Sequence, residues 1–198
     1  MQINFEKYND SELCAFLCKG NADAERAFAE LYRRHSPRIY AYCRRFLGNP
    51  QEAKDVFQEA FVRFYQSTKQ ENRDFTNVPG FLLTITRNLC FNSKRKERDE
   101  ICFEDYMYYE SDDRNEKEEL LNLIKMALEV IPDEYRDIFI LREYNELSYL
   151  EIAELTKTSI SNVKVKIHRA KQKIREILQP YLKEKLFDDS KNYYEKPL

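Results

Sequence analysis

Only three glycines, Gly20, Gly48 and Gly80, interrupt a chain of 198 residues. Ordinary usage is about 7%. Three are too few for the turns of an all-β fold or for the phosphate loops of nucleotide enzymes. Apolar residues instead recur at three- and four-residue spacing, the period of an amphipathic helix, so the sequence predicts an all-α protein. At about 100–200 residues per domain the length allows one ordinary domain or two small ones and excludes a large multidomain enzyme.

No stretch approaches the roughly 18 consecutive apolar residues of a membrane span, and MQINFEKYND lacks the basic and apolar segments of a signal peptide. A cytoplasmic protein without membrane insertion is expected. The five cysteines (Cys14, Cys18, Cys43, Cys90, Cys102) are odd in number and scattered, and read as reduced thiols packed as small hydrophobes. Cys14 and Cys18 stand one helical turn apart and could chelate with His35, but no second Cys or His pair completes a site, so no metal is expected. With His35 and His168 the only histidines, and no nucleophile motif or Gly-rich loop beside them, neither a cofactor nor an enzymatic activity is expected.

Leu13, Phe16 and Leu17 predict a short helix stopped by Gly20, and Asn21 or Asp23 can cap the next. That helix carries Phe28, Leu31, Tyr32, Ile39, Tyr42, Cys43 and Phe46 up to Gly48-Asn49-Pro50, with Pro37 inside it expected to bend it. A third runs from about Glu52 to Gln66, with Val56, Phe57, Ala60, Phe61 and Phe64 on one face and polar residues opposite. Pro79 fits a first helical position ahead of Phe81, Leu82, Ile85 and Leu89.

Charge then divides the chain. Residues 87–98 hold five bases and one acid, net +4, whereas residues 97–119 hold eleven acids and three bases, net −8. Like charges at that density repel and little apolar surface offsets the entropy of ordering, so a linker is expected across residues 99–115. Periodicity returns with Leu120, Leu121, Ile124, Ala127 and Leu128, halts at Ile131-Pro132, and resumes through Ile138, Phe139 and Leu141. Ser148-Tyr149-Leu150-Glu151 is a capping box opening a short helix that ends near Leu155. Ser159 is placed to cap a final long helix whose inner stripe is Val163, Ile167, Ala170, Ile174 and Leu178. Residues 157–175 carry seven bases and no acid. A short helix, a tight turn and a long basic helix make a helix-turn-helix, with Asn162, Lys164, Val165, His168 and Lys171 facing out where base edges are met.

The stretch IPDEYRDIFILREYNELSYLEIAELTKTSISNVKVKIHRAKQKIREIL resembles the promoter-binding domain of bacterial RNA polymerase sigma factors of the extracytoplasmic-function (ECF, group 4) type. AFAELYRRHSPRIYAYCRRFL, EAKDVFQEAFVRFY and GFLLTITRNLCFNSKRK resemble the first conserved domain of that family, in order. The resemblance covers roughly residues 11–98 and 117–179. It implies two small helical domains joined by an acidic linker: residues 1–98 for core polymerase and the −10 element, 99–116 as linker, 117–179 as the helix-turn-helix for the −35 element, and 180–198 as an extension of unknown role.

By the same resemblance Asp55, Gln58 and Glu59 dock on the clamp helices of the polymerase largest subunit. Asn88 helps read a base flipped from the −10 element, Arg87, Lys94 and Arg95 suit phosphates, and Phe75 lies in the loop that shapes the pocket, unless it is a core aromatic. Phe81 and Asn92 depart from the tryptophan and aspartate frequent in the family. Ser159, Asn162, Lys164, Lys166, His168 and Arg169 fall at the −35 element, Lys164 and His168 as base contacts and Lys166 and Arg169 as phosphate contacts. The acidic linker resembles the family segment that runs through the active-site cleft, although a solvated tether has the same composition. Core RNA polymerase, promoter DNA and an anti-sigma factor are the partners implied. A free-standing helix-turn-helix regulator with an N-terminal helical dimerisation or partner-binding domain is the alternative, and it gives residues 87–98 no purpose.

Overall fold

The computed structural model describes the backbone of residues 4–18, 21–69, 75–100 and 116–194, and the side chains of these except 97–100, 116–120 and 182–194. The regular secondary structure among the described residues is all helical, and the chain divides into two compact units, Met1–Glu104 and Asp105–Leu198. Most of the expected linker, Cys102 included, and the expected stop at Gly20 lie outside the described residues.

In the first unit a short 3-10 turn over Phe5–Lys7 precedes α1 (Asp10–Leu17), α2 (Ala22–Leu47), α3 (Pro50–Thr68) and α4 (Val78–Glu100). Each start has a local cause. Asn9 and Glu12 close a capping box on α1. Asn21, rather than Asp23, caps α2 by accepting from the Ala24 amide at 3.2 Å. Asn49 accepts from the amides of Gln51 and Glu52 at 2.8 and 3.2 Å, with Pro50 in the first turn where its missing N–H costs nothing. α2 runs through Pro37 to Gly48, whose φ of 80° favours glycine. α3 begins two residues before, and ends two residues after, the range Glu52–Gln66 expected from the sequence. At the start of α4 the Asn77 side chain accepts from the Gly80 amide at 2.9 Å, and a Cβ on Gly80 would meet that side chain at 2.6 Å, so the cap needs glycine there.

The periodic apolar residues are the core: Leu13, Leu17, Leu31, Tyr42, Cys43, Phe46, Phe64, Leu82 and Cys90 are buried where α2 packs against α1, α3 and α4. Cys14 is also buried, and burial pushes its thiol up to about 12, so it packs as a small hydrophobe. Cys18 differs: it is exposed, and its thiol donates to the Thr68 carbonyl at 3.0 Å. His35 turns to Asp10 at 2.7 Å.

A polar clamp holds the N-terminal turn onto α2. Arg34 donates to the carbonyls of Tyr8, Glu6 and Phe5 at 2.9, 3.1 and 3.4 Å and to Asp10 at 3.0 Å, and Glu30 orients it at 2.7 Å. Hydrogen bonds from Arg33, then Arg34, hold the nearly buried Glu30 carboxyl at about 2, against an ordinary 4.5. A depressed folded value stabilises the protein above pH 4.5, and the contribution is lost as pH falls from there through about 2. Thermal midpoints followed from pH 5 to about 2 should therefore fall less steeply in Glu30→Gln than in the wild type, and parallel curves would show that the clamp contributes nothing.

The second unit comprises α5 (Glu116–Val130), α6 (Asp133–Glu143), α7 (Tyr149–Thr156) and α8 (Ile160–Tyr194). α8 packs on the other three. Its inner stripe of Val163, Ile167, Ala170, Ile174 and Leu178 is buried, the last two against Ala127, Leu128 and Ile131. Arg136, only 5% exposed, donates to the carbonyls of Glu129 and Ile131 at 2.6 and 3.4 Å, so α6 caps the C-terminal end of α5. α8 continues past Pro180 to Tyr194, so the backbone of the expected C-terminal extension is helical as far as Tyr194.

Candidate nucleic-acid and protein interfaces

Three surfaces collect the candidate residues. On α3 the inward positions Val56, Phe57, Ala60 and Phe61 leave Asp55, Gln58 and Glu59 exposed on the opposite side. Asp55 accepts from the Gln51 side chain at 3.2 Å, and Glu59 pairs with Arg63 at 2.5 Å. Gln58 also borders an open groove of about 380 Å³ between α2 and α3, whose other walls include Tyr32, Pro37, Tyr40, Lys54 and Phe57. Tyr32 and Tyr40 are about two-fifths exposed, although Tyr32 belongs to the apolar pattern of α2. The sequence period places the Tyr32 ring on an inner face and leaves Tyr40 out of the pattern, and only the packed pair of helices reveals that both rim a groove.

On α4 the residues Arg87, Asn88, Phe91, Lys94 and Arg95 fall at i, i+1, i+4, i+7 and i+8, within about 120° of one another at 3.6 residues per turn. They form one stripe. Asn88 and Arg95 are exposed, Arg87 and Lys94 half-buried, and the Arg87 guanidinium lies 4.8 Å from the centre of the Phe91 ring. Phe91, itself against Phe46, is the aromatic member of the stripe that charge counting misses; its spacing of four from Arg87 is the signal that finds it. Ser93 donates to Glu52, fixing α4 against α3. Phe75 is not on this stripe. It is 7% exposed and packs at 5.9 and 5.4 Å against Phe64 and Phe81, while its carbonyl accepts from Ser11 at 2.7 Å.

The third surface is built by a turn. The Ser148 hydroxyl accepts from the Glu151 amide at 3.2 Å and the Glu151 carboxylate from the Ser148 amide at 2.7 Å, opening α7. Lys157 adopts a left-handed conformation with φ 54°, and the Thr158 amide returns to the Ala153 carbonyl at 3.0 Å. Ser159 then accepts from the Asn162 amide at 3.2 Å, which starts α8. Asn162, Lys164, His168 and Arg169 are exposed along its N-terminal half. Lys166 is not turned outward with them: it reaches across to Glu134 of α6 at 2.5 Å. Lys171 likewise meets Glu143 at 2.8 Å. Tyr149, at the start of α7, carries Arg142 at 4.8 Å and Lys164 at 5.8 Å from its ring centre. Glu134 and Glu143 are thus partners of the basic helix that lie outside the helix-turn-helix pattern in sequence, and Tyr149 is a partner within it.

Such a basic helix on a capped turn presents donors to a duplex, and a basic stripe with an exposed amide and an aromatic ring suits an unpaired strand. Comparison with known proteins agrees in both units. Residues 31–100 match Sigma-70 region 2 and residues 121–174 match Sigma-70, region 4. The ECF RNA polymerase sigma factor SigW of Bacillus subtilis is 32% identical over 178 residues, spanning 81% of this chain and 92% of that protein. The ECF RNA polymerase sigma factor SigE of Mycolicibacterium smegmatis is 30% identical over 177 residues, spanning 85% and 68%. Among solved structures, CnrH in complex with the cytosolic domain of CnrY shares the fold, with a TM-score of 0.66 at 22% identity over 86% of this chain and 97% of that one. The sigma factor RpoE in complex with the anti-sigma factor NepR from Bartonella quintana gives 0.60 at 21% identity, over 77% and 96%. With both sigma-70 regions present in order and nearly the whole of SigW spanned, the chain belongs to the ECF sigma factors of the sigma-70 family, the promoter-directing subunits of bacterial transcription.

Proposed function

We propose that the protein binds core RNA polymerase through Asp55, Gln58 and Glu59 on α3 and commits it to promoters read at two places. The α4 stripe takes the −10 element as its strands part, with Asn88 on an extruded base and Arg87, Lys94 and Arg95 on phosphates; Phe75 anchors the N-terminal turn of α4 through Phe81. α8 takes the −35 duplex, with Asn162, Lys164 and His168 at base edges and Arg169 and the capped Ser159 end at phosphates. Lys166 reaches phosphate by exchanging Glu134 for it. Residues 1–98 and 117–179 act as the two binding domains, 99–116 as their tether, and 180–198 as an extension whose backbone continues α8 as far as Tyr194. The protein has no catalytic role of its own and acts in the cytoplasm; among the described residues no helix is long and apolar enough to cross a membrane. An anti-sigma factor is the natural inhibitor, as NepR is found on RpoE.

The observation that carries this reading is the pairing of an exposed amide within a basic stripe on one unit with a capped basic helix on the other. A free-standing regulator needs only the second. Lys164→Ala or His168→Ala should weaken recognition of the upstream element by about 1–3 kcal/mol and leave polymerase affinity intact. Asp55→Ala with Gln58→Ala should do the reverse. Fluorescence titration of core polymerase and gel-shift competition of the assembled complex measure the two separately. Unchanged polymerase binding in the α3 pair, or losses from α8 that ignore DNA sequence, would remove the residue roles assigned here.

A further inference from the structure

We propose that Val165 is a base-reading residue of α8, and that its side chain recognises the 5-methyl group of a thymine in the upstream element. The inference rests on the assignment of α8 to duplex reading and adds the chemistry of one base to it. At about 100° per residue, Val165 projects about 180° from the mean direction of the buried stripe formed by Val163, Ile167, Ala170, Ile174 and Leu178. It therefore stands on the crest of the helix, where 47% of it is exposed. Its neighbours three and four residues away, Ser161, Asn162, His168 and Arg169, are exposed and polar.

Nothing in the packing of the unit asks for an apolar residue at the crest. Helix formation does not ask for valine either, since a β-branched side chain loses rotamer freedom in a helix and ranks below alanine, lysine or glutamine. An outward valine amid seven bases and no acid has one fitting environment. The positive charge seats the crest between two phosphate rows. In the major groove the thymine methyl is the one apolar group that a base edge presents, and a small apolar side chain is its complement. Lys166, held by Glu134, and Lys164, beside the Tyr149 ring, stand on opposite flanks of the helix, which leaves Val165 on the crest, with Ser161 and Arg169 about 40° to either side of it and Asn162 and His168 about 60°.

Deoxyuridine tests this, because it removes the methyl and retains every hydrogen-bonding group. The full chain is assembled with core polymerase, a duplex is selected from a library randomised at the upstream element, and each thymine of the selected element is replaced in turn by uracil. For the wild type, one replacement should weaken binding about three- to fivefold, the loss of one buried methyl contact. In Val165→Ala the same replacement should change binding by less than about 1.5-fold, so that the two losses are not additive. Val165→Ser should behave like Val165→Ala, and circular dichroism of both variants should match the wild type. A wild-type complex indifferent to uracil at every position overturns the proposal, as does an equal penalty in wild type and variant or a Val165→Ala defect confined to polymerase binding. Lys164→Ala on the same duplex separates the levels. If it weakens binding while the uracil series is flat, only the role of Val165 falls; if it too has no effect, the assignment of α8 falls with it.

Discussion

Arg136→Ala should destabilise the second unit by about 3–5 kcal/mol and leave the first untouched. The side chain is 5% exposed, and its guanidinium donates to the carbonyls of Glu129 and Ile131 and stands 3.8 Å from Asp133. Truncation takes the donors from two carbonyls at the end of α5 and breaks a sheltered ion pair, and removal of one member of a buried pair costs about that much. A unit of some 80 ordered residues has a total stability of about 4–12 kcal/mol, so the loss is a large fraction of it. Calorimetry of the full chain should show one transition shifted to lower temperature and the other in place. Polymerase affinity should survive, since the α3 surface proposed to bind polymerase lies in the other unit, while upstream recognition should fail near the lowered transition. A shift of both transitions would mean that the units unfold together.

The sequence announces what depends on near neighbours. The inner stripe of α8 is a matter of spacing alone, and all five of its residues are buried. The capping box of Ser148 and Glu151 and the cap at Ser159 follow from residues three apart. Asn21 and Asp23 compete on equal terms in sequence because both are good caps, and the fold decides for Asn21. What spacing cannot supply is a partner from another helix. Lys166 belongs with the basic run in sequence, and its diversion to Glu134 depends on a residue 32 positions earlier in the chain. Tyr149 lies in the capping box, where its neighbours give no hint that Arg142 and Lys164 gather on its ring. The Arg34 clamp joins residues 26–29 apart through backbone carbonyls, which carry no sequence signature. The two basic surfaces were therefore legible as charge, whereas the division within them between groups free to meet DNA and groups held by the fold was not.

Phe75 shows the same limit at the −10 surface and gives a second large effect. In a polar loop a lone phenylalanine reads equally as a pocket wall or as a core residue. Here the ring is 7% exposed between Phe64 and Phe81. Phe75→Ala should therefore destabilise the first unit by about 3–5 kcal/mol, the cost of emptying an aromatic site in a packed core. That loss alone would impair strand opening and so cannot distinguish support from contact. Phe75→Leu does distinguish them, because it refills much of the volume and retains no ring. If the ring acts by packing, the leucine variant should lie within about 1.5 kcal/mol of the wild type in stability and open promoters normally, as read by permanganate reactivity of unpaired thymines. Asn88→Ala provides the opposite pattern. Its side chain is exposed, so stability should hardly change, while opening should fall because the amide proposed to hold the extruded base is gone. A folded Phe75→Leu protein that fails to open promoters would place the phenyl ring itself in the pocket, and it would require the loop to turn that ring out of the Phe64–Phe81 cluster when DNA binds.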